Sequence, residues 1–276
     1  DQLSYQAFFV ETFGYGAAEY FEGTKFYDDT TRFTSYSPYV QHKRALTDDL
    51  DLTLGARYDH ATFDFDNHLG VYGDIGYGKQ SLRNRSDSFK HLSPKASLNY
   101  HLTDMSSLFV RYANSFRLPT AGSLYHLTTK DTDSEISSLK PEVSDTYELG
   151  YKVNFEQLTF DIAFYYMDVD DGIVRQEDEN GYRYLVNASR VTHKGFEFAT
   201  NWDINESLNL TFAYSKSKHK FDEHEELSGN EMMSAPNYIT NLRLRYTPEN
   251  LKGLTTMLEA QSIGDYWMDD KNTRQY

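Results

Sequence analysis

The chain has 276 residues, a formal net charge of -15 and no cysteine. The acidic balance argues against nucleic acid as a partner, because phosphate neutralisation needs an excess of Lys and Arg. Without cysteine, neither a disulfide framework nor a thiolate metal site or nucleophile can form. No apolar run approaches the roughly 18 residues of a membrane helix.

Aromatic content is the unusual feature of the composition. The chain contains 23 Tyr and 18 Phe beside 2 Trp. So many rings are hard to place in a soluble enzyme of this polarity. The two aromatic girdles of a transmembrane β-barrel would accommodate them.

Side chains alternate between apolar and polar along many segments of six to eleven residues, which is the signature of strands rather than helices. In chain order, these predicted strands lie at 50–60, 97–102, 107–116, 147–154, 158–166, 195–204, 208–214, 240–246 and 254–260. A strand points successive side chains to opposite faces. We therefore expect Tyr147 and Leu149 to lie on one face, against lipid, and Glu148 and Lys152 to face a wet lumen.

The connections between these strands alternate in length. Short polar connections are predicted at 47–50, 103–106, 154–157, 204–207 and 247–253. Long connections are predicted at 13–33, 65–90, 118–141, 170–183 and 219–234, with a tail from Gly264. Outer-membrane barrels have short turns at one end and long loops at the other. A soluble β-sandwich, which would mix its loop lengths and include Greek-key crossovers, remains the alternative fold.

Several stretches together resemble the C-terminal half of the barrel of TonB-dependent outer-membrane receptors, most closely those for ferric siderophores. The stretches are LTLGARYDH (52–60), LSPKASLNYHLTD (92–104), LFVRYANSFRLPTAGSLY (108–125), LKPEVSDTYELGYK (139–152), FDIAFYYMDVDDGIVRQ (160–176), NASRVTHKGFEFATNWDINESLNLTFAYS (187–215) and GDYWMDDKNTRQY (264–276). Each motif alone is weak, and their order and spacing make the resemblance specific to the family.

The resemblance implies an all-β, antiparallel up-and-down barrel of 22 strands in the bacterial outer membrane, filled by an N-terminal plug. We expect residues 1–276 to be a partial barrel domain of about eleven strands, without plug, energy-coupling box or last strands, and so part of a larger protein. The implied function is energy-coupled uptake of a ferric siderophore or similar Fe(III) chelate, driven by a TonB-type complex that contacts the missing plug region. A haem receptor of the same family, a passive porin-like channel and a soluble β-sandwich protein that binds carbohydrate or protein are the alternative functions.

The sequence shows no catalytic constellation, and we expect neither an enzyme nor a resident cofactor or metal. SFRLPT (115–120) followed by His126 is similar to a haem-receptor motif, but SSLKPE replaces the Asn-Pro-Asn-Leu element expected next. HKFDEHEEL (219–227) is better explained as a hydrated acidic loop than as a metal site, because nothing fixes its ligands. The calcium-like DVDDG (168–172) lacks the Gly and Glu positions of an EF-hand and is interpreted as the end of a strand.

Ligand contacts are expected from loops and the upper lumen. Ferric siderophores are often anionic, so Arg and amphipathic aromatic side chains are the candidates. The candidate residues are Tyr72, Tyr77, Arg83, Arg85, Arg117, Tyr125, His126, Arg175, Arg183 and Trp267.

Overall fold

The structure, a computed structural model, describes residues 2–8, 13–15, 18–20, 25–68, 84–125, 139–177 and 183–276. The strands are β1 (Gln2–Phe8), β2 (Phe13–Tyr15), β3 (Ala18–Tyr20), β4 (Lys25–Tyr36), β5 (Tyr39–Ala45), β6 (Leu50–Asn67), β7 (Arg85–Thr103), β8 (Ser106–Arg117), β9 (Glu142–Asn154), β10 (Leu158–Glu177), β11 (Arg183–Asn205), β12 (Leu208–Glu223), β13 (Tyr238–Tyr246) and β14 (Thr256–Ile263). A short helix, α1, spans Ala121–Tyr125. Within these ranges, no helix combines the length and hydropathy needed to cross a membrane.

The main sheet is antiparallel and joins strands that are neighbours along the chain, in the order β1-β4-β6-β7-β8-β9-β10-β11-β12-β13-β14, while β2 and β3 form a separate hairpin. β5 continues β4 along β6 in one register, since Tyr36 pairs with His60 and Tyr39 with Arg57. Pro38 interrupts the strand because proline cannot donate to the ladder. Counted with this join, the 12 strand segments that the structure describes in the main sheet form 11 strands, in agreement with the prediction of about eleven.

A soluble sandwich is the wrong fold for this chain. Within the described ranges, consecutive strands extend a single sheet, and the only other sheet is the two-stranded β2–β3 hairpin. The predicted short turns are confirmed, because the strands on either side of them end and begin within a few residues of each other.

The predicted long connections are partly wrong, because several strands run further. β10 and β11 remain paired as far as Glu177 and Arg183, so most of the predicted loop at 170–183 is a hairpin. The predicted loop at 13–33 contains β2, β3 and the start of β4. Crossing a bilayer takes about 9–11 strand residues, and β10 and β11 have 20 and 23. Their outer halves therefore project from the membrane, where lipid no longer requires alternating polarity.

The two sides of the sheet differ as the alternation predicts. We call the side with Leu149 and Phe164 the outer side and the side with Glu148 and Asp161 the inner side. On the outer side, Tyr147, Leu149 and Phe164 are each more than half exposed, as lipid-facing residues should be. Val153, at the foot of β9, is the exception, with 4 % of its surface exposed.

Aromatic rings cross the outer side where the apolar band ends, and we call this row the girdle. Its contacts include Tyr112 with Tyr147, Phe196 with Tyr214 and Tyr214 with Tyr238, with ring centroids 5.3, 5.6 and 6.3 Å apart. Beyond the girdle, the next outer-side residues are polar, for example Asp145 and Asp168 on β9 and β10. The apolar band of β10, from Leu158 to Tyr166, thus spans nine residues, which matches one crossing of a bilayer.

A small aromatic core lies on the inner side, near the long-loop end of the sheet. Phe63, Phe65, Leu124, Tyr125 and Leu139 are buried together. The rings of Phe65 and Tyr125 stack with centroids 4.3 Å apart. The core fixes α1 against β6, so the segment after SFRLPT lies against the inner wall.

Candidate functional site

The inner side at membrane depth carries cross-strand ion pairs. Arg111 contacts Glu148, Lys152 lies 3.5 Å from Asp161, and the Arg243 Nε donates to Glu259 at 2.6 Å. Exposed pairs of this kind contribute little stability. Their importance is that they make the inner wall hydrophilic, as a lumen or the surface that contacts another domain requires.

A cleft opens on the inner side of the sheet, beyond the girdle and near the long loops. Its volume is about 790 Å³. The lining is mainly apolar and includes Met167, Val169, Ile173, Val191, Phe221 and Met232. Arg117, Arg175, Glu142, His193 and Asp270 supply its charged and titratable groups. Ligand sites in proteins are commonly apolar clefts with a few placed polar groups, and we call this cleft the candidate site.

Arg117 is the best-positioned cation of the candidate site. Its Nε donates to Glu142, whose side chain is 10 % exposed while that of Arg117 is 75 % exposed. The hydrogen bond to Glu142 raises the pKa of Arg117, so the guanidinium stays charged. Glu142 also accepts the Ile173 backbone N–H through Oε1 at 2.7 Å. One buried carboxylate therefore holds both the cation and the projecting β10–β11 hairpin.

Asn187 and Ser189 of β11 hold the part of β10 that lies beside the candidate site, through hydrogen bonds to its backbone carbonyls. The Asn187 side chain donates to the carbonyls of Lys140 and Asp171 at 3.0 and 2.6 Å, and its Oδ1 accepts the Lys140 N–H at 2.8 Å. Asp171 has φ of 56° at the irregularity in β10 that separates Val169 from Gly172. LKPE and DVDDG, which are distant in sequence, are therefore joined through β11.

Two histidines lie on the inner side at the cleft. The Nδ1 atoms of His193 and His219 are 2.5 Å apart, and the His219 Nε2 lies 2.9 Å from the Ser217 Oγ. His193 lies three residues before the girdle residue Phe196, on the side of the long loops and outside the apolar band. Burial, and then the neighbouring His219, lowers the pKa of His193 to about 4. Burial also lowers the pKa of His219, so both rings are neutral at pH 7.

The predicted candidates that reach the cleft are Arg117 and Arg175. Trp267 lies beside it, in the tail 264–276, where its carbonyl accepts the Ser234 N–H at 2.8 Å. This tail folds onto the segment 224–237. The predicted loop at 219–234 is confirmed from residue 224 and is wrong before it, because β12 runs to Glu223. Asp270 of the tail and Met232 of that segment both line the cleft.

Arg85 and Tyr125 lie in the aromatic core. The Tyr125 ring is 1 % exposed and its hydroxyl donates to Asp87 at 2.9 Å, while Arg85 contacts Asp87 and lies 6.0 Å from the Tyr125 ring centroid. Packing of α1 is the role that these contacts show. Ligand contact by either residue stays a prediction.

The remaining candidates are not placed by the structure. Tyr72, Tyr77, Arg83 and His126 lie outside the described residues, as does the side chain of Arg183. Glu142, Met167 and His193 were not predicted. A signal for Glu142 was present in LKPE, an acid that opens a strand, but its contact with Arg117 depends on strand register.

An antiparallel sheet of consecutive strands, with an exposed apolar band on one side and ion pairs on the other, is the wall of a transmembrane β-barrel. The whole chain, residues 1–276, matches the family model described as TonB dependent receptor-like, beta-barrel. The chain belongs to this family of bacterial outer-membrane proteins.

Individual relatives agree with this assignment. The chain is 26 % identical to the ferric aerobactin receptor of Escherichia coli, over 54 % of the chain and 23 % of the relative. It is 28 % identical to the vitamin B12 transporter BtuB of Vibrio vulnificus, over 67 % of the chain and 30 % of the relative. The fold is similar to that of the ferric yersiniabactin uptake receptor FyuA from Yersinia pestis, with a TM-score of 0.69, 20 % identity, and coverage of 90 % of this chain and 37 % of that one. The chain thus spans between about a quarter and two fifths of these proteins.

Proposed function

We propose that the chain is part of a receptor that takes up a ferric siderophore across the outer membrane, and that the candidate site contributes to binding the chelate. The Fe(III) chelate is the cargo of this transport. Energy would come from a TonB-type complex acting on parts of the receptor outside this chain.

The observation that carries the proposal is the Arg117–Glu142 arrangement at an apolar cleft. A buried carboxylate orients an exposed guanidinium towards the space where the ligand would arrive, and the guanidinium presents several donors to an anionic oxygen. Arg175 adds a second cation at the same cleft. Apolar lining suits the organic backbone of a chelator.

Uptake in cells tests this proposal. A strain that lacks the full-length gene, complemented with it, is offered radioactive iron as hydroxamate, catecholate and carboxylate chelates and as haem. We expect uptake of a ferric siderophore that stops when the energy-transducing complex is deleted. Uptake of haem alone would favour the haem receptor, and uptake that persists without the complex would favour the passive porin; either result would contradict the proposal.

Binding to purified receptor tests the site itself. We expect R117A to weaken binding of the transported chelate about 10- to 150-fold, which is the range for loss of a hydrogen bond to a charged group. The control is R243A, which removes an inner-side arginine paired with Glu259 outside the cleft. Equal affinities of R117A and the unmodified receptor would remove Arg117 from the site.

A further inference from the structure

Four side chains with nitrogen or sulfur donors lie in one row across adjacent strands, on the inner side of the sheet. Met167 of β10 pairs with His193 of β11, which pairs with His219 of β12. Met232 continues the row, because its N–H donates to the His219 carbonyl at 3.0 Å and places it opposite that residue. Paired residues point to the same side of a sheet. We call Met167, His193, His219 and Met232 the donor row.

The donor row borders the candidate site. Met167, His193 and Met232 line the cleft, and the four residues of the row are half-buried. Adjacent strands lie about 4.8 Å apart, and the unbranched methionine side chain turns about three bonds. The sulfur atoms at the two ends can therefore reach the space between the two imidazoles, where a small ion from the cleft would arrive.

The two imidazoles face each other through the same ring atom. The Nδ1 of His193 lies 2.5 Å from the Nδ1 of His219, and a metal ion bound to both at about 2.0–2.1 Å needs them about 1 Å further apart. The Nε2 of His219 lies 2.9 Å from the Ser217 Oγ, and a hydrogen bond at one ring nitrogen leaves the other as the ligand. Burial lowers the pKa of both rings, so they are in the neutral form that binds metals.

Nearby carboxylates are engaged elsewhere. Glu231 points to the outer side, where it lies 3.3 Å from Lys218. Glu142 binds Arg117, and the Oδ1 of Asp270 accepts a backbone N–H at 2.9 Å. Among the described residues, no three His, Asp or Glu side chains form a group that could hold a metal ion. The row therefore offers nitrogen and sulfur, without a carboxylate.

These donor types select the metal. Imidazole suits several transition metals, including zinc, nickel and copper, whereas thioether sulfur is a soft ligand that favours Cu(I). Magnesium and calcium need oxygen ligands. Two thioethers beside two imidazoles therefore favour Cu(I) over the other ions.

We propose that the donor row is a binding site for Cu(I), with the Nδ1 atoms of His193 and His219 and the sulfur atoms of Met167 and Met232 as its ligands. Binding involves no change in the oxidation state of the metal. The site does not depend on which chelate the receptor transports. It also differs from the acidic segment HKFDEHEEL considered in the sequence, because only His219 of that segment belongs to the row and strand register supplies the other ligands.

Copper binding to the purified full-length receptor that carries this chain tests the proposal. Cu(I), supplied as its acetonitrile complex without oxygen, is titrated in competition with a chromogenic Cu(I) chelator and in the absence of siderophore. The thioether variant is M167L/M232L, which removes both sulfur atoms and nearly conserves side-chain volume. Its matched control is M105L/M257L, because Met105 and Met257 lie outside the cleft and are each 50 % exposed.

The imidazole variant is H193Q/H219Q, and its matched control is H60Q/H101Q, which changes two histidines outside the cleft. Zn(II) is titrated in parallel into every protein. Heat-modifiable migration on gels checks that each variant is folded. The thioether variant alone decides the proposal if the imidazole variant does not fold.

We expect both variants to bind Cu(I) at least about 10-fold more weakly than the unmodified receptor, since even loss of a group that only supports a ligand costs about 10- to 100-fold. The controls should stay within about twofold. The thioether variant should lose affinity for Cu(I) and not for Zn(II), because thioether sulfur favours Cu(I). X-ray absorption at the copper edge should show sulfur beside nitrogen in the unmodified receptor and nitrogen without sulfur in the thioether variant.

Three results would overturn the proposal: Cu(I) binding by the thioether variant within about threefold of the unmodified receptor, equal losses in a variant and its control, or bound copper without sulfur neighbours in the unmodified receptor. Zn(II) binding to the unmodified receptor as tight as that of Cu(I) would also overturn it, because the row would then be an imidazole site that does not select Cu(I). None of these results bears on uptake of the ferric chelate, which the uptake assay tests separately.

Discussion

Replacing Glu142 with alanine should loosen the projecting β10–β11 hairpin and leave the membrane-spanning wall folded. In the structure, its carboxylate accepts the Ile173 N–H at 2.7 Å and binds Arg117, with 8 % of the residue exposed. A hydrogen bond to a charged group contributes about 1.5–3 kcal/mol. The Arg117 contact adds less than about 1 kcal/mol because the arginine is largely solvated.

The expected cost of Glu142→Ala is therefore about 2–3 kcal/mol, felt in local opening of the hairpin. This corresponds to about 30- to 150-fold faster amide exchange around Ile173. Hydrogen exchange with mass spectrometry on the full-length receptor in nanodiscs measures it. Glu142→Gln, which keeps an acceptor oxygen for the Ile173 N–H, should give an intermediate rate.

Glu259→Ala is the matched control, because the side chains of Glu259 and its partner Arg243 are each 56 % exposed. Its effect should be below about 1 kcal/mol, with no change in the hairpin. Unchanged exchange around Ile173 in Glu142→Ala would refute the reasoning that this carboxylate holds the hairpin.

Three further substitutions test other parts of the structure. Gly195→Ala would place the new Cβ 2.2 Å from a backbone carbonyl oxygen of β12, so the folded fraction measured by heat-modifiable migration should fall sharply. Gly122→Ala is the control and should leave the folded fraction unchanged, because the nearest atom to its Cβ would be 3.9 Å away. Burial lowers the pKa of His193 from 6.5 to about 4 in the folded protein, so its contribution to stability is complete above pH 6.5 and is lost as the pH falls towards 4. His193→Gln should therefore flatten the fall in melting temperature between pH 6.5 and 4. A pH profile of the melting temperature that stays unaltered in the variant would contradict the lowered pKa. Leu149→Lys puts a charge on the lipid-facing band and should cost about 2–4 kcal/mol in reversible unfolding from liposomes, while a cost near zero would mean that Leu149 does not face lipid.

The spanning parts of the strands could be predicted because two different solvents act on them. Lipid on one side and a wet interior on the other favour alternation, and β9 and β10 follow it from Tyr147 to Val153 and from Leu158 to Tyr166, apart from Ala163 and Tyr165 on the inner side. Their pairing, Tyr151 with Ile162 and Leu149 with Phe164, places the apolar residues of both strands on one side.

The projecting halves of the strands could not be predicted in the same way. Beyond Tyr166, water reaches both sides of the β10–β11 hairpin, so the sequence DVDDGIVRQ has no alternation to detect. Its irregularity at Asp171 also shifts the side to which later residues point, since a bulge adds a residue to one strand. Hydrogen bonds from Asn187 and Ser189, distant in sequence, hold this part in place.

The sequence predicted which types of residue line the candidate site, but it could not predict which of them come together in the folded chain. Arg117 lies next to a predicted loop and Arg175 within one, and the structure brings both to the cleft. Met167 and His193 join them only through strand register. Met232 and Asp270 join through the folding of the tail onto the segment 224–237, which no local pattern encodes.

In a membrane-spanning wall, the outer side of this sheet contacts lipid and the inner side contacts water or another protein domain. Spin labels at Leu149 and Phe164, and at Glu148 and Asp161, in the full-length receptor in liposomes test it most directly. Labels at 149 and 164 should collide with oxygen dissolved in the bilayer and be shielded from a water-soluble nickel chelate. Labels at 148 and 161 should be shielded from bilayer oxygen. The reverse pattern, or equal access of the nickel chelate to all four positions, would mean that the outer side of the sheet does not face lipid.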